Sequence, residues 1–359
     1  MTAGIPAKRI RRRAVAPPSL PPAATTEPAA RERRDRSPLG RPGWTVIAAK
    51  EFADHLLSAR FMVLLAVLGL AAFVPLYFAS SRIRELAEAA SGVPAVFIAL
   101  FTLGSQQIPI LRVDSFVGMV APLLGIAFAF DAVNGERSEG TLPRLLSQPI
   151  HRDDVINGKF AAGLTVITLV LTAVVGVIAG FGLLRLGIVP AASEVIRIVA
   201  WLFLTIVYVS LWLAFGLLLS VVLRRAATSA LIGFGVWILV TVFGGLLVGL
   251  IAGIVAPLPA GGGPDDVLAS AGLQQLITRL LPSTLYQEAA LVLLDPSVTQ
   301  VSTPATIGQA IAAQEQIPSL LSLDQSLLLV WPHVVALVAL TVVCFAAAYI
   351  AFMRQEVRA

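Results

Sequence analysis

Six long apolar runs separated by polar breaks organise most of this sequence, at about residues 61–79, 116–133, 160–184, 197–223, 229–255 and 328–353. Runs of roughly 18 or more apolar residues read as membrane-spanning helices, because a helix satisfies every backbone N–H and C=O within its own segment where no water is available. Just before the first run, Trp44, Ala48, Phe52 and Leu56 recur every fourth residue over 44–60, while Lys50, Glu51 and Asp54 fall on other faces. That spacing predicts an amphipathic helix lying on the membrane surface. The stretch 93–111 is also apolar, but Pro94, Gly104, Gln106, Gln107 and Pro109 interrupt it, and it is read as part of a non-crossing segment at 80–115. A second such segment, 256–327, holds Gly261-Gly262-Gly263-Pro264 and then an amphipathic run from Val267 to Leu281. Residues 1–42 are rich in Pro, Ala and Arg without apolar periodicity, so they are expected to form a disordered basic tail. Residues 43–359 are expected to form one membrane domain, and the predicted fold is an all-α polytopic membrane protein of six transmembrane helices.

The polar island between the second and third runs, Asp131 to Lys159, stands apart. It sets Arg137, Arg144, Arg152 and Lys159 beside Asp131, Glu136, Glu139, Asp153 and Asp154. Gly135 is expected to break the second span's helix, and Glu136 and Glu139 precede a turn at Gly140-Thr141. Thr141 is placed to cap a short helix with Pro143 in its first turn, and Pro149 stops that helix. Leu142, Leu145 and Leu146 then share one face at i, i+3, i+4 spacing. Arg152 begins the next helix, with Asp153 or Asp154 expected as its cap. Neighbouring spans usually need only a plain loop. An apolar knob ringed by charge suits docking to a soluble partner, the apolar part giving affinity and the charges orientation. The same pattern would serve a loop folded back on its own bundle.

Charge assigns sides. Lys plus Arg number 12 in residues 1–60, four in 134–159, two at Arg224-Arg225 and two at Arg354 and Arg358, so 20 of 26 fall together if six spans leave both termini inside. The excess of basic residues on cytoplasmic loops then predicts a multi-pass protein of a prokaryotic plasma membrane with both termini cytoplasmic. This sidedness also accounts for the net charge of +5 and pI near 9.9 without nucleic acid as a partner. With 57% hydrophobic and 13% charged residues, the chain departs from soluble domains, which carry about 25% charge.

The chemistry that a sequence can advertise is sparse. Cys344 is the single cysteine, and His55, His151 and His333 are scattered. No HExxH, GxSxG or GxxxxGK[ST] pattern occurs, so metalloprotease, serine hydrolase and P-loop ATPase chemistry are not supported in this chain. The spans hold almost no ionisable residues at mid-depth, and none marks an ion or proton route. Energy for any transport is expected from outside.

The run E-x-x-x-G-T-L-x-x-L-L-S-x-P-x-x-R, Glu136 to Arg152, resembles the inner loop of type-2 ABC transporter permeases. Lys50-Glu51-Phe52 followed by Ser58-Ala59-Arg60 is similar to that family's N-terminal elbow helix. Pro282 to Ala289, P-S-T-L-Y-x-E-A, resembles the subgroup of permeases linked to nitrous-oxide-reductase maturation. Together these cover about residues 44–358. The resemblance implies that residues 137–149 are a cytoplasmic coupling helix seated in a separate ABC-type ATPase subunit, with Glu136, Glu139, Gly140, Thr141, Leu142, Leu145, Leu146 and Arg152 at the contact. It implies a second permease subunit, identical or different, embedded with this one in membrane lipid. It places no cofactor in this chain, ATP and Mg being bound by the partner, and it favours export of an unidentified substrate. The long basic tail and the large outer segment between the fifth and sixth spans depart from the family pattern. Two rival readings stand beside it. One is a mechanical transducer or scaffold that an ATPase drives without flux. The other is a lipid-processing membrane enzyme using Asp265, Asp266, Glu288 and Asp295.

Overall fold

The computed structural model describes residues 42–89, 96–104, 112–142, 151–257, 264–296 and 321–355. The expected disordered tail up to residue 41, and most of the expected coupling helix with Leu145 and Leu146, lie outside the described residues. So do 258–263 and 297–320 of the large outer segment.

The described residues are nearly all helical, and among them the sole β-type pairing is an isolated antiparallel bridge between Gly104 and Arg112. The helices are α1 Gly43–Leu56, α2 Ala59–Ala89, α3 Val96–Thr102, α4 Val113–Val120, α5 Pro122–Ala129, α6 Asn134–Ser138, α7 Arg152–Leu186, α8 Ala192–Val222, α9 Ala226–Trp237, α10 Gly244–Val255, α11 Pro264–Thr278, α12 Pro282–Leu294 and α13 Leu323–Arg354, with a π-helical turn at Ile238–Val242 between α9 and α10. Five segments are long and apolar enough to cross a membrane: Ala59–Arg84, Val113–Ser138, Arg152–Leu186, Ala192–Val222 and Leu323–Arg354. Ala226–Val242 and Gly244–Val255 make a sixth if counted as one span, but they meet at 56°. The interrupted stretch near 93–111 contributes α3, whose seven residues rise about 10 Å, far short of a bilayer's hydrocarbon.

Helix ends depart from the apolar runs for local reasons. α7 starts at Arg152, well before the apolar stretch beginning near 160, and runs for 35 residues. His151 takes the extended cap position, while Asp153 and Asp154 sit in the first turn, where the positive end of the helix dipole favours them. Neither aspartate is the cap, contrary to expectation. The second span is jointed. Pro122 lacks the N–H that would continue α4, and beside the break the Met119 carbonyl accepts the Trp237 indole N–H at 3.1 Å. A second joint falls at Phe130–Val133, earlier than the break expected at Gly135.

α8 is the axis of the bundle, packed along α13, α5, α12 and α7, while α1 lies against α7. Its contact with α5 is close because Gly125 has no Cβ; one built there would stand 2.7 Å from both Leu213 N and Val209 O. Trp201, Leu204, Tyr208 and Leu217 of α8 are buried. By contrast Leu70, Leu184, Leu231, Ile254 and Val343 expose well over half their surface, a distribution suited to hydrocarbon surroundings.

Candidate functional site

Every described residue of the polar island gathers at one end of the bundle, together with α1 and the C-terminus of α13. This near end is built around a buried cation. Lys159, two turns into α7 and so about 10 Å along its axis, has a side chain only 3% exposed. Its Nζ donates to Glu51 Oε1 of α1 at 2.9 Å and to Glu136 Oε1 of α6 at 2.7 Å. α1 reaches this position because its neighbour on α7 is Gly158: a Cβ there would stand 2.8 Å from the Ile47 side chain and the Trp44 carbonyl. Two further residues hold the α1–α2 corner to the second span. Arg60 pairs with Asp131 and lies 5.2 Å over the Phe130 ring, and His55 meets Phe128 edge-on at 5.1 Å. Burial keeps His55 below the ordinary imidazole range, so it is neutral at pH 7.

The joint before α6 leaves N–H groups free, and the sequence supplies their partner from far away. Ser220 Oγ of α8 accepts from Val133 N at 2.9 Å and Asn134 N at 3.2 Å. The Val221 carbonyl, at the end of α8, in turn accepts from Arg137 and from Gln355. α6 closes through Gly140, whose φ of 69° lies in the left-handed region that glycine tolerates.

The residues singled out from sequence are therefore divided. Glu51 and Glu136 meet at Lys159. Phe52 is half-buried against the core, and Lys50 is exposed and paired with Asp54. Glu139, Gly140 and Thr141 are exposed, the Thr141 hydroxyl donating back to the Glu136 carbonyl. Leu142 takes helical geometry and is buried. Arg152 is half-buried and donates to the Gln355 carbonyl at 3.2 Å, steadying the end of α13. Sequence reasoning missed Lys159 and Ser220. The available signal for Lys159 was a lone ammonium entering an apolar run, which needs a carboxylate once buried.

The opposite, far end uses charge differently. Glu194, at the start of α8, accepts from the N–H groups of Phe97 and Ile98 at 3.0 and 3.3 Å and from Ala191 N at 2.8 Å, capping α3 and its own helix. Arg197, one turn on, donates to the Leu293 carbonyl, the Ser326 hydroxyl and the Leu321 carbonyl at 3.1, 3.0 and 2.6 Å. Glu288 of α12 accepts from Arg279 at 2.8 Å and meets His333 Nε2 at 2.9 Å. Burial pushes the Glu288 carboxyl up, but His333 and Arg279 more than offset this and hold it below the usual range. That carboxylate is thus engaged in joining α12, α13 and the residue after α11. Among the described residues no group of three His, Cys, Asp or Glu side chains is placed to hold a metal.

Comparison with known proteins meets this geometry from another direction. A family described as ABC-2 family transporter protein matches residues 45–357, nearly the whole described bundle. The probable ABC transporter permease protein NosY of Stutzerimonas stutzeri is 31% identical over 214 residues, covering 57% of this chain and 69% of that protein. The protein of the same name from Pseudomonas aeruginosa is 27% identical over 152 residues, covering 42% of this chain and 47% of its own length.

Proposed function

Because this chain belongs to the ABC-2 family of transporter proteins, and so is a multi-pass membrane permease of an ABC transporter, we propose that its near end is the cytoplasmic docking surface for a separate ATPase subunit. In this reading α1 is the elbow helix, residues 137–149 are the coupling helix, and both termini face the cytoplasm. The bent pair α9–α10 counts as the fifth of six spans. Two permease chains and two ATPase subunits make the working unit. ATP and Mg are held by the ATPase, and this chain contributes no cofactor or catalytic group.

The observation that carries the proposal is the placement of the polar island. Beside the residues not described, Glu139 to Thr141 and His151 are exposed at the end of the bundle, while Leu142 is buried and Lys159 ties the base, α6 and α7, to α1. ATP binding would draw the two ATPase subunits together, and their closure would move the seated loops and bias the bundle between two arrangements. Glu139, Gly140, Thr141, Leu145 and Leu146 are assigned to the contact, Leu142 and Arg152 to its support. Cargo is exported in this scheme, and the apolar spans are compatible with lipid-like or peptide substrates.

The test is to purify the tagged chain from its native membrane and assay what accompanies it. A stoichiometric P-loop ATPase whose activity rises in the complex, and loses that rise in Leu145→Asp with membrane insertion intact, is the expected result. A chain that purifies alone in every mild detergent, or a Leu145→Asp protein that transports and stimulates normally, overturns the assignment.

A further inference from the structure

We infer that Lys159 is a positioning residue that makes the docking loop a lever, by closing its base and tying that base to α1. The inference rests on the docking role proposed above. Glu136 lies on the outgoing limb of the loop and Lys159 on the returning limb, so their 2.7 Å bond shuts the loop at its root. The same Nζ, 2.9 Å from Glu51, carries the connection on to α1. The α1–α2 corner is held to the second span at two more points, Arg60 with Asp131 and His55 with Phe128.

Arg137 and Arg152 tie the two limbs to the ends of α8 and α13, and this root is what ties the limbs to each other and to Glu51 of α1. With the root open, the outgoing limb would swing about the joint at Phe130–Val133 and the returning limb about the start of α7. The displacement would then end as loop deformation. With the root shut, α6, α7 and α1 are displaced together. One ammonium between two carboxylates, nearly excluded from water, suits this: in a low dielectric, pulling either carboxylate away is opposed far more strongly than at a wet surface. Stability alone does not require the charges, since well-packed apolar replacements of a buried ion cluster are often neutral or better. The cluster instead joins three elements distant in sequence through a single atom, while Glu136 keeps its other oxygen, Oε2, buried without a partner.

The deciding variant is Glu51→Gln/Glu136→Gln/Lys159→Met, which removes all three charges and leaves none unpaired. It is made in the full chain and purified with its ATPase, with ATP turnover as the probe. The expected result is an assembled complex of wild-type thermal stability whose permease-dependent ATPase stimulation falls at least about fivefold, the range of ordinary site-to-site coupling. Stimulation within about twofold of wild type overturns the inference if Leu145→Asp still abolishes it. If Leu145→Asp is also silent, the docking role itself falls and the inference with it. Should the triple variant fail to assemble, Glu51→Gln alone decides, because it leaves the Lys159–Glu136 closure in place. A loss of at least about twofold supports the tie to α1, and unchanged stimulation overturns it.

Discussion

The two ends of the bundle each bury a cation, and they satisfy it in opposite ways. At the near end Lys159 is held by two carboxylates, Glu51 and Glu136, from two other helices. At the far end Arg197 is held by two backbone carbonyls and a serine hydroxyl, while the neighbouring Glu194 spends its oxygens on backbone N–H groups. Charge facing charge is strong, but removing one partner strands the others. Charge facing backbone dipoles strands chiefly neutral acceptors, although Asp295 also lies near Arg197, and no side-chain substitution can re-create the carbonyls. The near end is therefore a junction that paired substitutions can retune, and the far end a fixed clamp.

The largest expected effect breaks the near end. Lys159→Met leaves Glu51 and Glu136 facing each other in a site that is almost dry, and a loss of about 3–5 kcal/mol is expected. Denaturation of the detergent-purified protein should report it, and adding Glu51→Gln and Glu136→Gln should restore most of the loss. Arg197→Ala should cost less, about 2 kcal/mol, because the hydrogen-bond partners it leaves are neutral acceptors rather than ions. The same assay should show at most a partial rescue on neutralising Asp295, the nearby carboxylate that acts on Arg197; a full rescue would erase the contrast drawn above.

The smallest effect concerns a far-end carboxylate that pairs with charge. Glu288 titrates below its ordinary 4.5 in the folded protein, so its contribution is present above that value and is lost as pH falls through the lower folded value. Thermal stability followed from pH 7 downward should hold and then decline below about 4.5, and Glu288→Gln should flatten part of that decline. An unchanged acid limb in the variant would remove Glu288 from the comparison.

What could be read in advance follows the range of the interaction. Length and apolarity located the five long apolar segments and the bent sixth, because a membrane helix satisfies its own backbone and needs no knowledge of its neighbours. The start of α7 at Arg152 was legible from its local polar residues, but the packing of those first turns against α1 was not, because apolar periodicity does not register it. The π-helical turn at Ile238–Val242 left no sign either, since it lies inside a uniformly apolar run. Glu51 and Glu136 were picked out, but as part of motifs 85 positions apart, and nothing local indicates that Lys159 joins them. Ser220 was invisible for the same reason: its role is set by a joint in a span that precedes it by some ninety residues.

One backbone contact at the far end has a consequence for how such chains diversify. The Leu321 N–H donates to the Pro296 carbonyl at 2.8 Å, and the Arg197 guanidinium grips the Leu321 carbonyl from the other side. The described segments ending at Pro296 and resuming at Leu321 thus meet at a single doorway. Whatever is spliced between those two residues, short or long, pulls on neither α12 nor α13, because the threshold is already sealed. Evolution can furnish that room anew without touching the walls.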